Sequence, residues 1–175
     1  MAEKKYKRRV VDQLLAERLE EVGAVLIEGP KWCGKTTTAL QQARSAVMLA
    51  NPETLQKSKV MIATNAPYLL SGGTPRLFDE WQTVPKLWDA VRYTVDHRRK
   101  MGQFILTGSA VPDQETEKMR EHSGTGRFAW LTMRPMTLFE SGDSNGKVSL
   151  EDLFSTPENI LESNKLDLNQ IAFLI

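Results

Sequence analysis

The sequence predicts an α/β fold of three layers, with helices on both faces of a parallel sheet. Three observations predict it. Short apolar runs bounded by Gly, Pro or Asn recur along the chain, as buried parallel strands do. Segments with apolar residues at helical spacing alternate with them, which implies βαβ units. A Gly-bounded loop carrying Lys and Thr lies between the first such strand and the helix after it.

The elements follow in order. Val11, Leu14, Leu15, Leu19 and Val22 recur at helical spacing, so residues 10–22 read as an amphipathic helix that Gly23 ends. AVLIEG (24–29) is a short apolar run that suits a buried strand, and TTTALQQARS after the loop reads as a helix. AVMLA (46–50) is the second strand, and PETLQKSKVMIATNAPYLL is mostly helix before the turn cluster SGGTP. RLFDEW (76–81) is the third strand. PKLWDAVRYTVDHRRK (85–100) is a helix opened by Pro85, with Leu87, Val91 and Val95 on one stripe. GQFILTGSA (102–110) and RFAWLTMRPM (127–136) supply the fourth and fifth strands. Residues 1–23 are thus expected to be a basic leader and helix, and 24–140 the α/β domain. A linker and the start of a helical segment are expected over 141–175.

With 175 residues, 41% hydrophobic, the chain suits one domain with a real core. Its 23 basic and 22 acidic residues nearly cancel, so net charge argues for neither nucleic acid nor a membrane surface. No uncharged apolar run is long enough for a membrane helix, and the basic start leads into no signal core. One Cys cannot form an internal disulfide, which agrees with a reducing cytoplasm. His97 and His122 are far apart and have no Cys or His nearby, so zinc-ligand spacing is absent.

GPKWCGKTTTA carries the chemistry. Gly29, Gly34, Lys35 and Thr36 fit the phosphate-loop pattern of two glycines with four residues between them, followed by Lys and a hydroxyl residue. Backbone N–H groups of such a loop form a concave nest for a phosphate, and the helix N-terminus adds partial positive charge. Lys35 would reach the β- and γ-phosphates of ATP, while the Thr36 hydroxyl would ligate Mg²⁺. The candidate nucleotide-binding residues are therefore Gly29, Pro30, Lys31, Trp32, Cys33, Gly34, Lys35, Thr36 and Thr37. Cys33 has no partner for redox or metal work and reads as structural filler. Trp32 either packs over the nucleotide or against a neighbouring element.

Hydrolysis needs more than binding. Asp79 and Glu80 close the third strand, where an Asp holds the Mg²⁺ shell and an adjacent Glu polarises the attacking water. An ordinary acidic pair at a strand end is the bland alternative. Thr107 and Ser109 are both candidates to sense the γ-phosphate, and Ser109 is preferred because it lies nearer its strand's end. Arg120, Arg127 and Arg134 flank the fifth strand, and Arg127 follows glycines on what reads as a mobile loop. It is the candidate for transition-state charge, supplied in cis or by a neighbouring subunit of a homo-oligomer; surface ion pairing is the default for any one of the three.

AVLIEGPKWCGKTTTA, RLFDEWQ, LWDAVRYTVD, GQFILTGSA and HSGTGRFAWLTMRPMTLFE together resemble AAA-domain ATPases of bacteria and archaea. The resemblance runs from about residue 6 to the end. It implies a P-loop NTPase of the additional-strand type, with strand order 5-1-4-3-2, and cytoplasmic ATP binding. It assigns Lys35 and Thr36 to the first motif, Asp79 and Glu80 to the second, Thr107 to Ser109 to the sensor segment, and Gly126-Arg127 to the Gly-Arg before the fifth strand. Members usually continue past a Gly-Gly motif into a C-terminal domain related to restriction-endonuclease folds. This sequence stops short of that point, so the resemblance implies an N-terminal part, shortened naturally or artificially, whose missing domain or partner completes the active state.

The expected function is Mg²⁺-dependent ATP hydrolysis coupled to a conformational change in an attached or partner domain. A small-molecule or nucleotide kinase shares the loop and fold, but usually carries an Arg-rich lid and an acceptor pocket. A nucleotide-gated module that binds DNA or protein with little turnover is the third reading, with KKYKRR touching DNA. Such basic runs are usually solvated.

Overall fold

The computed structural model describes residues 6–109 and 126–155. The chain divides into two compact units, Met1–Pro135 and Met136–Ile175. In the first, helix α1 (Val11–Glu21) precedes strand β1 (Ala24–Gly29), then come α2 (Lys35–Gln42), β2 (Ser45–Met48), α3 (Pro52–Thr64) and the short α4 (Ala66–Leu69). Strand β3 (Arg76–Asp79) runs into a 3₁₀ turn at Trp81–Thr83, followed by α5 (Lys86–Arg98), β4 (Phe104–Ser109) and β5 (Phe128–Thr132). The strands form one parallel sheet of order β2-β3-β4-β1-β5, the order expected from the family resemblance.

Alternation along the central strands divides the core between two faces. Leu26, Phe78, Phe104 and Leu106 point to one face, which Leu87, Trp88, Val91 and Val95 of α5 cover. There the Trp88 ring stacks on Phe128 with centroids 4.0 Å apart. Val25, Ile27, Leu77 and Ile105 point to the other face, against Leu15 and Leu19 of α1 and Ala39 of α2. Both faces being dry, β1 is buried at nearly every position, which is why it reads as a continuous apolar run.

Several boundaries are tighter than the sequence suggests. Strand β3 ends at Asp79: Glu80 takes a left-handed backbone (φ 57°), and Trp81 turns into the core beside Trp88. Helix α2 stops at Gln42, and Ser45 joins β2, where its hydroxyl donates to the Gly73 carbonyl at 2.6 Å. The long helical segment breaks at Asn65, ahead of Pro67 in α4. Strand β5 stops at Thr132, although the Met133 N–H still bonds Glu28 O; Pro135 has no N–H to continue a ladder.

In the second unit, α6 (Leu138–Ser141) opens with a reciprocal capping box between Thr137 and Glu140 and closes at Gly142, and α7 covers Leu150–Ser155. Among the described residues, no helix is long and apolar enough to cross a membrane.

Candidate functional site

Strand β1 hands the chain to the loop at Gly29. A Cβ at this position would lie 2.1 Å from the Met133 carbonyl oxygen, so only glycine lets β5's exit approach so closely. Gly34 ends the loop at φ 98°, a left-handed backbone, and opens α2 without a side-chain cap. The main-chain donors of the first turn of α2 are thereby left for a ligand. Between the two, Trp32 also adopts a left-handed backbone (φ 67°) and its side chain is 99% exposed. Cys33 turns inward, buried, with its thiol 3.7 Å from Met133 O.

Lys35 is buried, and its Nζ donates to Gly29 O at 3.0 Å and to Pro30 O at 2.8 Å. An ammonium has three donors, so it can exchange these bonds for phosphate oxygens without leaving the loop. At the next residue, the Thr36 hydroxyl donates to Asp79 Oδ1 at 2.6 Å. Thr107 donates its hydroxyl to the same oxygen at 2.7 Å. Parallel register explains the meeting: Asp79 pairs with Thr107 across β3 and β4, and both point to the face that α2 covers. Asp79 is only 5% exposed, and two hydroxyl donors to one carboxylate oxygen offset part of what burying its charge costs.

This donor set fits Mg²⁺. The ion prefers hard oxygens, keeps several waters, and is usually held through one or two carboxylates plus substrate phosphates. Among the described residues, no three His, Cys, Asp or Glu side chains gather as an all-protein metal cage, and a nucleotide-borne Mg²⁺ requires none.

Glu80 follows on the left-handed turn that ends β3. Its N–H donates to Thr107 Oγ1 at 3.3 Å, and its carboxylate accepts from Gln82 Nε2 at 2.6 Å. A cleft of about 560 Å³ is lined by Lys31, Trp32, Gly34 to Thr37, Ala50 and Glu80. Loop, hydroxyl and acidic pair are thus brought together at the C-terminal edge of the sheet, where open α/β folds bind ligands.

The positions of two further candidates can be added. Thr107, not Ser109, is the hydroxyl seen on Asp79; Ser109 lies level with Gly29 in the backbone register, and its side chain is outside the described set. Arg127 is not brought to the loop of its own chain. It precedes β5, its carbonyl accepts from Ala24 N–H, and its Nε donates to Asp96 Oδ1 at 2.6 Å. Being level with the start of β1, it is separated from Gly29 by a strand length of roughly 16 Å. Arg120 and His122 fall outside the described residues, whereas Arg134 follows β5 at the loop's edge. Sequence reasoning missed Gln82, whose signal was its place just after the acidic pair, and missed the inward turn of Tyr6 and Arg9.

Comparison with known proteins agrees with this geometry. A sequence profile described as AAA domain matches residues 21–141. An uncharacterised protein of Mycobacterium bovis and one of Mycobacterium tuberculosis are each 30% identical over 142 residues. Each match covers 78% of this chain but only 31% of the relative, so this chain spans about a third of their length. Residues 21–141 therefore carry the fold and the nucleotide-binding character of that class. The chain belongs to the AAA domain family of P-loop ATPases.

Proposed function

We propose that the chain binds ATP with Mg²⁺ and hydrolyses it, and that turnover drives a conformational change in an attached or partner domain. The observation that carries this reading is the 2.6 Å bond between Thr36 Oγ1 and Asp79 Oδ1 beside a buried Lys35. In this proposal Lys35 stabilises phosphate charge, Thr36 ligates the metal, and Asp79 holds its water shell. A Mg²⁺ ion held there by Thr36 and, through water, by Asp79 would supply positive charge against that of the phosphates. Glu80 orients and polarises the attacking water, and Gln82 holds the Glu80 carboxylate at the cleft. Thr107 ties the two acidic residues together, through Asp79 Oδ1 and the Glu80 N–H. A cytoplasmic location suits a lone, buried thiol. The length of the relatives beyond the matched part supports action on further domains.

The test is ATP binding and phosphate release for the wild type, Lys35→Ala and Glu80→Gln. Lys35→Ala is expected to lose binding. Glu80→Gln should bind as before and lose about 10²–10⁴-fold in turnover. Unaltered turnover in Glu80→Gln would remove Glu80 as the base, and strict dependence on an added acceptor would make the protein a kinase.

A further inference from the structure

The residues before α1 form a basic run, and such runs are usually solvated. Two of its side chains turn inward instead. Arg9 is 6% exposed, and its guanidinium grips two main-chain carbonyls: Nη1 donates to Cys33 O at 2.7 Å and Nη2 to Arg134 O at 2.9 Å. Its own N–H donates to Asp12 Oδ2 at 2.8 Å in the first turn of α1. Tyr6 donates its hydroxyl to Asp12 Oδ1 at 2.6 Å and meets Thr38 Oγ1 of α2 at 3.0 Å. The segment is therefore a strap across α1, α2, the phosphate loop and the chain leaving β5. A guanidinium satisfied in this way is committed to carbonyls and is not available to a DNA backbone.

Burying a guanidinium is unfavourable unless its donors are paired, so this arrangement asks for a physical reason. A trans peptide holds each carbonyl antiparallel to the next N–H, and Cys33–Gly34 is trans. Drawing the Cys33 carbonyl toward Arg9 therefore turns the Gly34 N–H to the opposite side of the loop. Gly34 itself sits directly over the strap: a Cβ there would lie 3.2 Å from Arg9 Nη1. The same glycine lines the cleft that also holds Lys35 and Glu80.

We infer that Arg9 is a positioning residue for the nucleotide's phosphates, fixing the Gly34 N–H as a donor and tying the loop to the chain that leaves β5. The inference rests on the ATP-binding reading above. Its positive charge, one peptide beneath the loop, also adds to the field that favours an anion there.

Arg9→Lys keeps the charge but cannot serve two carbonyls with a rigid fork. Affinity for ATP and for inorganic tripolyphosphate, which has no base, is measured by calorimetry with the ligand-free melting temperature. Both affinities are expected to fall by the same factor, about tenfold, while the chain stays folded. Unchanged affinity in a folded variant, or a loss for ATP but not tripolyphosphate, overturns the inference. A wild type that binds neither ligand removes the ATP-binding reading and this inference with it. Should the variant fail to fold, the Arg9 Nη resonances of the wild type decide. They are expected to shift on adding tripolyphosphate, and unmoved resonances overturn the proposal.

Discussion

The two edges of the sheet belong to the same strands, yet they are closed by different means. At the N-terminal edge the main chain stitches itself: Gln103 and Phe104 N–H groups both donate to Gly23 O, Gly102 N–H to Val22 O, and Ala24 N–H to Arg127 O. At the C-terminal edge main-chain bonds from Met133 N–H to Glu28 O and from Leu49 N–H to Asp79 O are joined by side-chain ties through Thr36, Thr107 and Arg9, and glycine-opened helix α2 leaves main-chain donors for a ligand. Satisfied backbone is inert, whereas unpaired N–H groups at a helix start attract anions. Stability and chemistry thus separate in this molecule: one edge holds the sheet shut, and the other holds it ready.

Substitutions at the quiet edge should therefore change stability without changing ATP affinity, the reverse of Lys35→Ala. The largest effect is expected at Gly23, where a Cβ would come within 2.2 Å of the Val95 side chain. Gly23→Ala should lower unfolding free energy by about 1–3 kcal/mol in denaturant melts, with ATP affinity unaltered. A matching fall in affinity would show that the two edges are coupled. Arg127→Ala should matter less. Its ion pair with Asp96 is half exposed, so roughly 0.2–1 kcal/mol of stability is expected to be lost. Dilute protein should keep its turnover; a large loss at high concentration alone would place Arg127 in a neighbouring subunit's site.

A further effect is confined to alkaline solution. Burial, with help from the hydrogen bond to Asp12, pushes the Tyr6 phenol up from 10.0 to about 12. Because the folded value is the higher one, the contribution is full below pH 10 and is lost as pH rises towards 12. Tyr6→Phe should flatten that part of the stability profile. An unchanged slope between the two pH values would mean the strap lets go of Tyr6 before the fold does.

Much of this architecture was legible because buried parallel strands announce themselves. Strand β1 coincides with its apolar run, and Thr36, next to Lys35 at the start of α2, meets Asp79 at the end of β3. Glu80 also reaches the cleft, but by a left-handed turn that no periodicity marks. Arg127 lies away from the loop of its own chain for a reason the topology makes plain. A residue just before a strand parallel to β1 must lie at the edge where β1 begins, however glycine-rich its surroundings. Arg9 was hidden more deeply. Nothing in a run of basic residues shows that two carbonyls, one of them 125 residues further along the chain, require its guanidinium.

Four tryptophans are distributed very unevenly between protein and water. Trp81 and Trp88 are buried, Trp130 is partly covered at 41% exposure, and Trp32 stands almost wholly in solvent at the rim of the cleft. The indole's emission depends on the polarity around it, so the four rings do not report the same thing. Three of them report whether the core is intact. The fourth gives the molecule a built-in optical gauge, set within the loop whose occupancy is the quantity of interest.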